Sequence, residues 1–355
     1  RAQRLCEELA DPARLFPTLF GRWIFHAARA EMSQALTVAD GMLRLASEAG
    51  DGAPALIAHR ALTNTWFFLG DLAAARTHAE TVLARYQPAR HGGLASLYSA
   101  DPYVVSAFFL AHTLARMGHV EQARPWAHAG LARARELAHG VTLAHALHHA
   151  CVFHQLCREP AAVEPHADEL IALATEHGLA FWQALGRIFR GWRLAEAGQA
   201  TAGLEQLRAG IEAYRATSGV LYLPYALALC AEGSRRVGNV AAGLQATGEA
   251  KTLIDATGVR GFEPYVLRVE ANLLHEQGAD PATVEVLLQQ SIALARQQKA
   301  KISELRGAVD LARLWGARGK PAEARAQLQA VHGRFSEGLH SIDLREAKSL
   351  IDELG

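Results

Sequence analysis

The sequence predicts an all-α chain: a right-handed superhelical solenoid of about eight helical hairpins with a C-terminal capping helix. Three observations predict it. Glycines flanked by polar residues recur about every 40 residues. A column of small residues keeps the same step. Between the glycines, apolar residues repeat at helical and not at strand spacing.

The glycine column is Gly70, Gly118, Gly198, Gly238, Gly278 and Gly319. From Gly118 onward the steps are 80, 40, 40 and 41 residues. The member missing from the long step falls at Arg158, in the turn-like run Arg158-Glu159-Pro160, and Ala30 lies 40 residues before Gly70. Glycine supplies the left-handed backbone that stops a helix, so each position reads as the turn inside a hairpin. First helices are expected near 13–29, 53–69, 102–117, 141–157, 180–197, 222–237, 262–277 and 301–318. Second helices fill the gaps. The step from Gly70 to Gly118 is eight residues too long, and a loop over 88–101, with Gly92 and Gly93, is expected to absorb the excess. Asp343 followed by Glu346 has the spacing of a capping box and starts a last helix near 344–354, which covers the end of the stack. Residues 1–355 thus read as one solenoid domain.

Seven residues before each turn stand Thr63, Ala111, Cys151, Gly191, Ala231, Ala271 and Ala312. Two helices cross closely only where a small side chain lets them, so this column marks the crossing inside each hairpin. Trp23 breaks the column in the first repeat.

Composition narrows the function. Lys plus Arg and Asp plus Glu both number 36, which argues against a nucleic-acid partner or an anionic membrane surface. No apolar run approaches the roughly 18 residues of a spanning helix. The four cysteines, Cys6, Cys151, Cys157 and Cys230, form no disulfide framework and fit reduced thiols in a cytoplasmic setting. The first residue is Arg1 and not Met, which is read as a piece of a longer protein.

Hairpins with glycine at the turn and small residues at the crossing resemble the tetratricopeptide repeat in a long, 40-residue variant. Whole stretches carry a closer resemblance. They include Arg190-Gly191-Trp192-Arg193-Leu194-Ala195 before Gly198-Gln199, and Tyr214 to Gly219 before Pro224-Tyr225. Leu311-Ala312-Arg313-Leu314-Trp315, then Gly319-Lys320, then Asp343-Leu344 with Glu346-Ala347-Lys348, complete them. These stretches are similar to the C-terminal repeat region of bacterial adenylate/guanylate cyclase proteins that join a cyclase domain, a signalling ATPase domain and tetratricopeptide repeats. The resemblance implies a sensor or docking arm for the ATPase, with a protein, a peptide or another domain of the same chain as partner. It implies no cofactor. No Gly-x-x-x-x-Gly-Lys-[Ser/Thr] phosphate loop occurs, because Gly316 to Pro321 has the wrong spacing. No Gly-x-Ser-x-Gly elbow occurs either, so no catalytic residue is expected.

Two residue sets remain as candidate sites. First helices of such a stack line its concave face. Positions one residue beyond the small column and three before it give Arg60, Asn64, Phe108, His112, His148, Trp192, Glu232, Arg268, Asn272 and Arg313, with Tyr225 and Tyr265 one turn earlier. Arginines take carboxylates, asparagines clamp amides and aromatics pack on side chains, a mixture suited to a peptide. The plain alternative is an inner face that is merely solvated. The second set is His145, His148 and His149, whose spacing on a helix can chelate zinc or nickel. The plain alternative there is core packing, as for Trp66, Phe67, Phe109, Trp182 and Trp315. Three functions follow in order: a peptide- or protein-binding arm, an inducer-binding superhelix like that of maltose-type activators, and a histidine-based metal protein.

Overall fold

The computed structural model describes residues 12–49 and 52–355; Cys6 lies outside them. Among the described residues there are nineteen helices and no strand. Sixteen of them pair into eight hairpins. These are α1 (Pro12–Ala28) with α2 (Met32–Ala49), α3 (Gly52–Leu69) with α4 (Leu72–Arg85), α7 (Pro102–Arg116) with α8 (Val120–Leu137), and α9 (Gly140–Leu156) with α10 (Pro160–Glu176). Then come α11 (Ala180–Glu196) with α12 (Ala200–Ala216), α13 (Leu223–Arg236) with α14 (Val240–Thr257), α15 (Glu263–Glu276) with α16 (Pro281–Gln297), and α17 (Lys301–Ala317) with α18 (Pro321–His332). The segment expected as a loop holds two single-turn helices, α5 (Pro88–His91) and α6 (Leu94–Leu97). The last helix, α19, runs over Ile342–Glu353 and packs on α17 and α18. No single helix among the described residues is long and apolar enough to cross a membrane.

The turn column keeps its backbone even where glycine is missing. Gly70, Gly118, Gly198, Gly238, Gly278 and Gly319 have positive φ, and so do Ala30 and Arg158, both at 59°. The repeat therefore demands the left-handed turn and accepts a side chain there at a cost of roughly 1–2 kcal/mol. The small column is buried throughout. At its tightest point a Cβ on Gly191 would lie 2.8 Å from the Gly203 carbonyl, so α11 and α12 touch backbone to backbone. Trp23 is tolerated because its indole donates to Thr65 Oγ1 at 2.9 Å and packs beside Phe20.

The superhelix closes on itself after five hairpins. The Val220 amide donates to the Ala28 carbonyl, linking hairpin one to the start of hairpin six. The Gly261 amide donates to the Phe68 carbonyl, linking two to seven. Arg116 donates to Gln298 Oε1, linking three to eight, and also to the Gly261 carbonyl. Arg158 pairs with Asp343 of α19, linking four to the capping helix. One core follows this seam through the middle of the molecule, taking in Phe67, Phe68, Phe109, Trp192, Tyr222, Tyr225 and Phe262. The rings meet edge to face, Phe68 with Tyr222 at 5.3 Å and Phe67 with Phe109 at 5.1 Å. Burial of these large apolar surfaces is what draws successive turns together.

The start of α19 differs from the expected capping box. Ser341 is the cap, with its hydroxyl accepting from the Leu344 amide. Asp343 is not free to cap, because Arg306 and Arg158 hold its carboxylate.

Candidate functional site

The closed seam splits the twelve predicted groove residues into two groups of different fate. Those of the first half are mostly sealed in. Arg60 is buried and donates to the carbonyls of Tyr98 (2.7 Å) and Ala100 (2.9 Å), over the ring of Phe20. Burial pulls its guanidinium down to about 10. Phe108 is enclosed beside His112 and His149, and Asn64 is half-buried. His112 donates from Nε2 to the His149 carbonyl at 3.0 Å. His148 sits among Trp182, Phe189 and Tyr222. Tyr225 of hairpin six is sealed as well: it stacks on Phe262 at 4.5 Å and bonds Gln155 inside the seam. The expectation of a groove along every first helix is corrected here. Inward aromatics of hairpins two to four bury themselves against the hairpins that return across the seam.

The histidine set is a packing cluster. His145 and His149 lie against each other, tilted, at 4.2 Å, and His148 meets His149 edge-on at 4.8 Å. Burial lowers all of them, His148 to about 3 and His112 to about 4, which keeps the rings neutral. Among the described residues no group of three or more His, Cys, Asp or Glu is arranged to hold a metal.

Trp192, Glu232, Tyr265, Arg268, Asn272 and Arg313 have the other fate. They line one cavity of about 360 Å³ on the inner wall of the second half. The first helices α11, α13, α15 and α17 place them there, because the small column turns the same helical face inward in each hairpin. Arg268 is the centre. It donates to Glu232 Oε1 at 2.9 Å and to Asp310 Oδ2 at 3.0 Å. Burial alone would weaken its charge, but Asp310 and Glu232 outweigh that and hold it firmly protonated. The Tyr265 hydroxyl donates to Glu232 at 2.6 Å and Asn272 to Asp310 at 2.8 Å. Burial and the Glu232 carboxylate keep the Tyr265 phenol protonated well beyond its ordinary range.

Other lining residues escaped the sequence reading. Gln155, Glu196, Arg235, Arg236, His275 and Glu276 lie one turn further along the same faces. Extending the column by four and five residues would have found them. Arg158, Arg306, Asp343 and Glu346 come from the seam, and Arg158 had one visible signal: it replaces glycine in the turn column. Every charged group in the cavity is paired. Arg235 holds Glu276, Arg236 holds Glu196, and Arg306 grips Asp343 through two nitrogens at 2.8 and 2.9 Å.

No family model matches the sequence, and no curated protein does. Solved structures of similar fold exist. A Rap protein complexed with Competence and Sporulation Factor has a TM-score of 0.61 at 10% identity, covering 96% of this chain and 99% of that one. Aspartyl phosphate phosphatase F from Bacillus subtilis has a TM-score of 0.51 at 11% identity, covering 93% and 95%. A signal transduction ATPase with a tetratricopeptide repeat sensor from Pyrococcus horikoshii has a TM-score of only 0.44 at 11% identity over 91% of this chain and 55% of that one. At these identities the first two likenesses establish the fold alone: an all-helical, superhelical repeat solenoid of the kind those proteins share.

Proposed function

We propose that this chain is a non-catalytic binding module that takes an extended peptide or protein segment in the cavity between hairpins four and eight. One observation carries the reading: the inner wall is sealed by packing in one half and left open, charged and aromatic in the other. Guanidiniums and carboxylates alternate there beside Trp192 and Tyr265, so a bound peptide meets partners for both charge signs and for its amides. The lining residues also suit binding better than chemistry. None is a serine, threonine or cysteine, and each carboxylate is paired with an arginine. The Rap protein of similar fold, seen in complex with a named factor, supports a binding role for such a scaffold. The stretches resembling the cyclase–ATPase proteins support a sensor or docking arm within a larger chain. A volume of about 360 Å³ also lies in the range of small-ligand sites, which favours a compact inducer as the second reading.

The test is retention of a random hexapeptide pool on the immobilised chain, read by mass spectrometry. The wild type retains a subset of sequences, and the pair Trp192→Ala with Asn272→Ala releases it. Retention that is unchanged in that variant, or absent in the wild type, overturns the peptide reading. Retention of a small molecule from a metabolite mixture in place of peptides supports the second reading.

A further inference from the structure

We infer that the cavity selects ligands bearing a carboxylate, which Arg158 and Arg313 accept in exchange for Glu346, and that this exchange loosens the C-terminal end of the seam. The inference rests on the cavity being a binding site, and it goes further by naming the chemistry of the ligand and what its arrival does.

Charge in the cavity is balanced overall but unevenly placed. Around Arg268, one guanidinium faces two carboxylates, Glu232 and Asp310. At the other end three guanidiniums, Arg158, Arg306 and Arg313, meet two carboxylates of α19, Asp343 and Glu346, and Arg313 also reaches Asp310 more loosely at 3.5 Å. A ligand anion is therefore drawn to the second end. The two carboxylates there are not equivalent. Asp343 is 6% exposed and fixed by the two-nitrogen grip of Arg306 as well as by Arg158. Glu346 is 30% exposed and holds each arginine through one oxygen only, Arg158 and Arg313 both at 2.6 Å. Arg313 itself is 52% exposed. Glu346 thus occupies the place of a bound carboxylate at the mouth of the cavity, in pairs of the exposed kind that solvent already weakens. A ligand carboxylate that makes the same two contacts replaces it at little cost.

Replacement has a consequence because Glu346 is also a seam residue. Arg158 stands in the turn after α9, on the far side of the seam from α19. The strap between α18 and α19 crosses the same boundary. Its Gly338 amide donates to Glu121 at 3.0 Å, Gln122 donates to Glu337 at 3.1 Å, and Phe335 lies against Gly118. A ligand carboxylate on Arg158 removes one tie and sets a like charge beside Glu346. Apolar packing of Leu344, Ala347, Leu350 and Ile351 keeps α19 on α17 and α18, so the part that gives is the boundary with hairpins three and four.

The experiment presents the full chain with two random hexapeptide pools mixed in equal amounts, one ending in a free carboxylate and one in an amide. Amide hydrogen exchange over 335–341 is followed alongside. The expected result is a recovery ratio of about tenfold or more for the free-acid pool and faster exchange over the strap when it is bound. In Glu346→Gln, strap exchange is faster before any peptide is added, and the free-acid preference persists. Equal recovery of the two pools overturns the carboxylate claim while leaving the cavity as a site. Preference for the free acid with unchanged strap exchange, in both wild type and E346Q, overturns the loosening. If neither pool is retained, the binding reading itself falls and this inference falls with it.

Discussion

The inner walls of hairpins two to four and of hairpins six to eight are built from equivalent repeat positions, yet one is core and the other is a cavity. The first half presents Phe67, Phe68, Phe109 and four neutral histidines to the loops that return after one superhelical turn. These uncharged rings leave water at far lower cost than ions do, and they seal. The second half presents Glu232, Arg268, Asp310 and Arg313, which leave water only when every charge finds a partner. They pair with one another and stop short of closing. A single repeat geometry thus yields a wall or a site according to the polarity of a few inward residues.

Acid tests this difference most severely. His112, His145, His148 and His149 are held neutral by burial, facing Arg60, Tyr222 and one another across the packed wall. Unfolded histidine binds a proton near pH 6.5, whereas His112 does so only near pH 4 and His148 near pH 3, with His145 and His149 also held well below the ordinary range. The unfolded chain therefore carries more protons through that window, and stability present above pH 6.5 falls as pH drops toward 4. Denaturant titrations at stepped pH will show the decline, and His148→Leu will flatten it. A flat profile in the wild type would break the claim that these rings are core.

Phe68→Ala comes next, with a loss of about 3–5 kcal/mol in denaturant unfolding, since the ring is buried among Phe109, Tyr222 and Phe262. Arg116→Met follows with a loss of about 1–3 kcal/mol, because the Gly261 carbonyl and Gln298 lose their charged donor inside the seam. Burial already pulls the Arg116 guanidinium down to about 10. The smallest stability change, within about 0.5 kcal/mol, belongs to Arg313→Ala on the exposed side of the cavity. That variant should nonetheless lose peptide retention. Equal destabilisation by F68A and R313A would erase the distinction between the two halves.

The hairpins were legible in the sequence because a turn leaves a local mark. The glycine column marked six left-handed turns, and its step predicted the two that Ala30 and Arg158 occupy. A second column between hairpins stayed hidden. Ala138, Gly178, Ser218, Gly258, Lys299 and Gly338 all have positive φ, but only three are glycine, so the period shows in the backbone and not in the letters. Helical spacing alone also groups the twelve groove residues on one face of their helices. Which of them reach solvent was not legible. That depends on how many hairpins make one turn, and the seam that sets it joins residues such as Arg158 and Asp343 whose neighbours carry no common motif. Asp343 shows the same limit from the other side: its spacing to Glu346 fits a local cap, and distant arginines claim it instead.

Ligand entry confined to the second half of the inner wall is the central claim. Photocrosslinking tests it most directly, with a hexapeptide pool carrying a diazirine side chain and with adducts mapped by mass spectrometry on the full chain. Adducts on Tyr265, Arg268, Arg313 and their neighbours are predicted. Adducts concentrated on Arg60, Phe108 and His148 would contradict it, because those side chains could be reached only if the superhelix were open where the seam now closes it.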